Sequence, residues 1–78
     1  YYNLGNAFQA LNKHQEAIDS FSKVVSLQPS SHDAYNNLGV SFQALNKHQE
    51  AIDNFNKAIL IKPDYALLIM VWVFLFRL

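Results

Sequence analysis

The twelve residues FQALNKHQEAID occur twice, at 8–19 and at 42–53, offset by 34 residues. Over the wider windows 1–29 and 35–63, nineteen of 29 aligned positions are identical. Self-similarity at a period of about 20–50 residues marks a stacked architecture, because one such unit cannot bury its apolar face alone. The duplication therefore constrains the fold before composition does.

Each copy reads as two helices. Leu4, Phe8 and Leu11 fall at i, i+4 and i+7, one face of a helix, and Leu38, Phe42 and Leu45 repeat the spacing. A second apolar series follows: Ala17, Ile18, Phe21, Val24 and Val25, echoed by Ala51, Ile52, Phe55, Ala58 and Ile59. Asn12 and Asn46 stand between the two series, where a helix stop wants a residue in the left-handed region and Asn is the usual substitute for Gly. Pro29 and Pro63 close the second helices, since proline lacks an N–H and disfavours helix at the residue before it. Ser30, Ser31 and Asp64 follow as N-cap candidates. The pattern predicts helices near 1–11, 14–27, 31–45, 48–61 and 65–78, an all-α fold. Asp19–Lys23 and Asp53–Lys57 are spaced as i,i+4 ion pairs, worth about 0.2–0.5 kcal/mol each.

Gly5 and Gly39 lie inside helices, where glycine costs about 1 kcal/mol relative to Ala. Close backbone approach is the expected compensation, with the glycines facing Ala17 and Ala51 and with Phe8/Phe21 and Phe42/Phe55 filling the space around them.

Spacing and residue type together resemble the tetratricopeptide repeat: Tyr1, Leu4-Gly5, Phe8, Ala17, Phe21, Val24, Pro29, and again Tyr35, Leu38-Gly39, Phe42, Ala51, Phe55, Ala58, Pro63. Only Val24 departs, mildly, from the small-residue preference. The resemblance runs from Tyr1 to about Ala66. It implies an α-solenoid of two helical hairpins plus a C-terminal hydrophobic helix, divided as 1–30 (a first repeat truncated at its N-terminus), 31–64 (a second) and 65–78 (an aberrant or truncated third). It also implies protein–protein interaction, with first helices lining a concave peptide-binding groove.

By helical phase, the groove candidates are Tyr2, Asn3, Asn6 and Gln9, then Asn36, Asn37, Val40 and Gln43. Asn3 and Asn37 each precede Leu-Gly. This resembles the repeat region of protein O-GlcNAc transferases, where such asparagines hold an extended peptide backbone; an amide offers one acceptor and two donors whatever the peptide's sequence. The alternative that follows is a substrate-selecting segment of a larger glycosyltransferase-like enzyme whose catalytic domain lies elsewhere. Carboxylate clamping is not expected, because Lys13, Lys23, Lys47, Lys57 and Lys62 fall at turns or on second helices.

Six basic residues balance six acidic ones, which gives no electrostatic case for nucleic acid. The absence of cysteine removes disulfides and thiolate metal sites and fits a reducing compartment such as the cytoplasm. His14, His32 and His48 lack metal-ligand spacing and read as turn residues. Glu16/Asp19 and Glu50/Asp53 sit on polar helix faces amid lysine. No catalytic residue, cofactor or metal is expected.

The chain begins with Tyr and reads as a piece of a longer protein. The repeat pattern fails after Ala66: Ile69 stands at the tyrosine position, Val71 at the asparagine, Trp72 at the leucine and Val73 at the glycine. From Tyr65 to Phe76 no residue is charged or strongly polar. Twelve apolar residues are too few for a membrane helix of about 20, and a helix apolar all round is expected to be covered. Three origins are open: a frame change or premature end, a native helix that caps the last hairpin and recruits a partner or second copy, and the start of a membrane segment. In each, self-association through this tail is the expectation. Two hairpins are fewer than the three or so repeats usually needed for stability, so weak folding is expected unless the tail docks.

Overall fold

A computed structural model describes residues 1–62 and 73–75. Four helices follow in order: α1 (Tyr2–Ala10), α2 (His14–Leu27), α3 (His32–Ala44) and α4 (His48–Ile61). They form consecutive antiparallel hairpins, α1 on α2 and α3 on α4, and α3 also packs on α2. The described residues contain no strand. All four agree with the sequence reading to within a residue at each end. The fifth expected helix, 65–78, lies outside the described residues except for Val73–Leu75, which are helical and exposed.

The duplicated twelve-mer makes the bend as its asparagine required. Asn12 and Asn46 have φ of 60° and 61°. The Asn12 N–H bonds Gln9 O at 3.0 Å and the Lys13 N–H bonds Phe8 O at 2.8 Å; Asn46 and Lys47 repeat this onto Gln43 O and Phe42 O at 3.0 and 2.9 Å. These paired bonds satisfy the last carbonyls of α1 and α3 in the Schellman arrangement. At the other end of each hairpin, Gln28 and Lys62 leave the helix at φ −133° and −138°, the extended geometry imposed by the proline that follows. Ser31 holds the N-cap position of α3, but its hydroxyl makes no capping bond. Its N–H instead bonds Gln28 O at 3.0 Å and closes the turn.

The glycines permit a closer contact than expected. A Cβ on Gly5 would lie 2.7 Å from the Phe21 ring, and one on Gly39 would lie 2.6 Å from Phe55. The nearest neighbour is thus an aromatic ring on the partner helix, where Ala17 and Ala51 were expected. The ring atoms Cδ1, Cε1 and Cζ stand in the gap that a missing side chain leaves. Phe8 and Phe42 pack from the side, half-buried.

The expected Asp–Lys pairs do not form. Asp19 and Asp53 accept from Gln15 Nε2 at 3.3 Å and Gln49 Nε2 at 3.0 Å. Lys23 Nζ lies 5.3 Å from the Tyr1 ring centroid and Lys57 Nζ 5.7 Å from that of Tyr35. A cation over an exposed ring is worth about 0.5–1 kcal/mol, against about 0.2–0.5 for the helical ion pair. The ring contact also ties the second helix of each hairpin to the start of the first.

The core sits between the hairpins. Leu38 of α3 inserts among Ala17, Ile18 and Phe21, with Val25, Tyr35 and Phe42 packed around them. The two copies therefore differ in burial where they agree in sequence. Leu38 is 3% exposed and its counterpart Leu4 is 50% exposed; Ile18 is 6% exposed and Ile52 is 52%. Among the described helices, α2 packs against α1 and α3, and α3 against α2 and α4.

This asymmetry yields two expected outcomes, each measured by urea denaturation. Leu38→Ala lowers stability by about 2–5 kcal/mol, whereas Leu4→Ala costs less than about 1 kcal/mol; equal losses would contradict the burial pattern. Gly5→Ala is destabilising by about 1–3 kcal/mol from overpacking, because Phe21 is fully buried and cannot give way. Gly39→Ala is close to neutral, since the half-buried Phe55 can shift and helix propensity returns about 1 kcal/mol.

Candidate functional site

Apolar spacing turns Phe8, Leu38 and Phe42 toward the core and leaves Leu4, at the phase of Leu38, exposed; the amide-bearing residues of α1 and α3 stand on another face. Four hydrogen bonds there join α1 to α3. Asn37 Nδ2 donates to the Tyr2 hydroxyl at 3.2 Å and to Asn6 Oδ1 at 3.4 Å. Gln9 Nε2 donates to Asn37 O at 3.4 Å and to Ser41 Oγ at 3.3 Å. All four are longer than the usual 2.9–3.0 Å or so, so each contributes less than a typical net bond of about 1 kcal/mol. They orient side chains more than they hold the hairpins together.

The orientation has a chemical consequence. Both amide hydrogens of Asn37 are directed at α1, which leaves its carbonyl oxygen as an acceptor. Gln9 likewise spends its amide on α3, and its Oε1 is left to accept. The face between α1 and α3 thus presents acceptors whose positions are set by their own donor groups. No lysine or arginine takes part in these contacts.

Of the eight residues singled out by helical phase, Tyr2, Asn6, Gln9 and Asn37 are brought into this one network. Asn3 is exposed and, one repeat before Asn37, has the same helical phase. Val40 and Gln43 are exposed on α3. Asn36 lies elsewhere, on the wall of a hollow of about 470 Å³ between α3 and α4, with His32, Asp33, Phe55, Ala58, Ile59 and Lys62. In the first hairpin the same region holds about 210 Å³. There, Tyr2 sets its ring edge-on to Phe21 with centroids 5.8 Å apart, and Val24 stands where the second copy has Ala58. The larger hollow has Asn36 and Ala58 where the first hairpin has Tyr2 and Val24.

Ser41 was not among the sequence candidates. It is fully buried and accepts from Gln9. Its position is one of the ten that differ between the copies, Ala7 being its counterpart, and it lies four residues after Asn37, on the same helix face. Those two facts together could have identified it.

The other polar groups build no second centre. His14 is half-buried with Nδ1 unpaired, and His48 is exposed. His32 Nδ1 lies 3.2 Å from Asp33 Oδ1 at the mouth of the larger hollow. Among the described residues no group of three His, Cys, Asp or Glu is placed to hold a metal, and no helix is long and apolar enough to cross a membrane.

Comparison with known proteins agrees with this architecture. No curated protein matches the chain. The family model for the tetratricopeptide repeat matches twice, at residues 1–31 and 32–65. Repeats of this family generally mediate protein–protein interaction and are typically non-catalytic. With two helical hairpins stacked in sequence and both matched by the family model over most of its length, the chain belongs to the tetratricopeptide repeat family.

Proposed function

We propose that this chain is a peptide-binding scaffold segment whose first helices, α1 and α3, present a concave groove to an extended segment of a partner protein. The observation that carries the reading is the hydrogen-bonded set Tyr2, Asn6, Gln9 and Asn37 across the two hairpins. Acceptors held in place by their own donors suit a peptide backbone, which offers an N–H at regular intervals whatever its side chains. Asn3 and Gln43 extend the same row at either end. Asn36 and Val40 complete the proposed lining, Asn36 from the side of the larger hollow. Because no basic residue stands among these groups, the ligand is an extended peptide read through its backbone and not an acidic C-terminal tail. No nucleic acid, cofactor or metal enters the reading. A membrane partner is not expected either; the apolar tail from Tyr65 to Phe76 is the one segment that could supply such a contact.

The paired asparagines Asn3 and Asn37 favour a second reading, in which these repeats select substrates for a larger glycosyltransferase-like enzyme. The groove would be the same and the chemistry would reside outside this chain.

The test is selection of twelve-residue peptides from a random displayed library against the full chain, followed by NMR titration of the best binder. The shifted amides are expected in α1 and α3, with affinity lowered at least about tenfold by Asn37→Ala and little changed by added salt, as a groove without charge contacts requires. Binding that moves only α4 resonances, or that weakens steeply with salt, would overturn the backbone-reading groove.

A further inference from the structure

Gln9 is half-buried, and its side chain crosses from α1 to α3. The two hydrogens of its Nε2 amide have two separate acceptors there, Asn37 O at 3.4 Å and Ser41 Oγ at 3.3 Å. These acceptors lie four residues apart, about one turn of α3. Ser41 is 0% exposed, so solvent does not reach its hydroxyl. The first copy has Ala7 at the corresponding place. Alanine is the better helix former and needs no polar partner when buried. Neither helix formation nor burial therefore accounts for a hydroxyl at position 41; its contact with Gln9 does.

We infer that Ser41 is a positioning residue: buried and out of a ligand's reach, it holds the Gln9 amide so that Oε1 accepts an N–H from one fixed position of a bound peptide. The inference rests on the groove reading proposed above. The terminal torsion of a glutamine is broad and roughly two-fold, so an untethered amide exchanges its oxygen and nitrogen. Asn37 O accepts only, and at 3.4 Å it is a weak tether by itself. The bond to Ser41 occupies the second amide hydrogen and leaves Oε1 as the polar atom of Gln9 still open to a ligand. A carbonyl held in this way accepts a hydrogen bond and has none to give. The peptide residue opposite it must carry a backbone N–H. Proline, or any residue with a methylated backbone nitrogen, is refused there, because it leaves Oε1 without a donor and sets a carbon against it. With alanine at position 41 the amide turns, and the refusal relaxes.

The test is a backbone N-methyl scan of the twelve-residue peptide chosen from the displayed library, titrated against the full chain and its Ser41→Ala and Gln9→Ala variants. Circular dichroism verifies that both variants keep their helicity. Methylation also changes the free peptide, but that effect is common to all three proteins and cancels between them. Against the unsubstituted chain, methylation at the position facing Gln9 is expected to weaken binding at least about tenfold. Against Gln9→Ala the same methylation is expected to cost less than about twofold, which identifies the position. Ser41→Ala is expected to lower the penalty there to about threefold or less and to leave the penalties at other positions as they were. A penalty that Ser41→Ala leaves at full size, or a loss spread evenly over all positions, would overturn the positioning role while the groove stood. A chain that binds no peptide through α1 and α3 would overturn the groove reading itself, and the inference with it.

Discussion

The ring of Phe21 against the bare backbone of Gly5, repeated by Phe55 against Gly39, is the contact on which the hairpins depend. At 2.6–2.9 Å from where a Cβ would stand, no side chain fits at either glycine without displacement of the ring. The contact brings the first helix of each pair close enough for Phe8 and Phe42 to seal its flank. It also explains why a helix tolerates glycine where alanine would propagate it better by about 1 kcal/mol: what propensity loses, close packing of a large ring more than offsets.

From that approach follows a division of labour between helices. Second helices carry the apolar faces that stack hairpin on hairpin, and α2, enclosed by α1 and α3, holds the fully buried Phe21. First helices turn their amides away from this stack and toward each other, where Asn37 and Gln9 fix one another's neighbours. The amide network and the apolar stacking thus occupy different faces of the first helices.

Much of this was legible in the sequence for identifiable reasons. A duplicated Asn between two apolar series specified the left-handed turn, and a proline at each second helix's end specified the extended residue before it. Burial was not legible. Ile18 and Ile52 are the same letter in the same local pattern, and only the covering helix distinguishes them. The lysines were read against aspartates on their own helix, because sequence spacing shows i,i+4 neighbours and hides Tyr1 and Tyr35, which become neighbours only when the hairpin closes. Of the candidate site, Tyr2, Asn6, Gln9 and Asn37 were found by helical phase alone. Ser41 was passed over because a serine beside an amide row reads as a surface residue until Gln9 is seen to reach it. Asn36 was grouped with its neighbour Asn37, although a step of about 100° per residue carries it round to the wall of the hollow beside Phe55.

The glycine seats are tested most directly by proton NMR of the full chain. A glycine α-proton held this close to an aromatic ring has its resonance displaced from the ordinary position by the ring current. Gly5 and Gly39 are expected to show such α-protons, with cross-relaxation to the ring protons of Phe21 and Phe55 respectively. Unshifted α-protons at both glycines, with cross-relaxation absent, would contradict the packing on which the hairpins and the amide face rest.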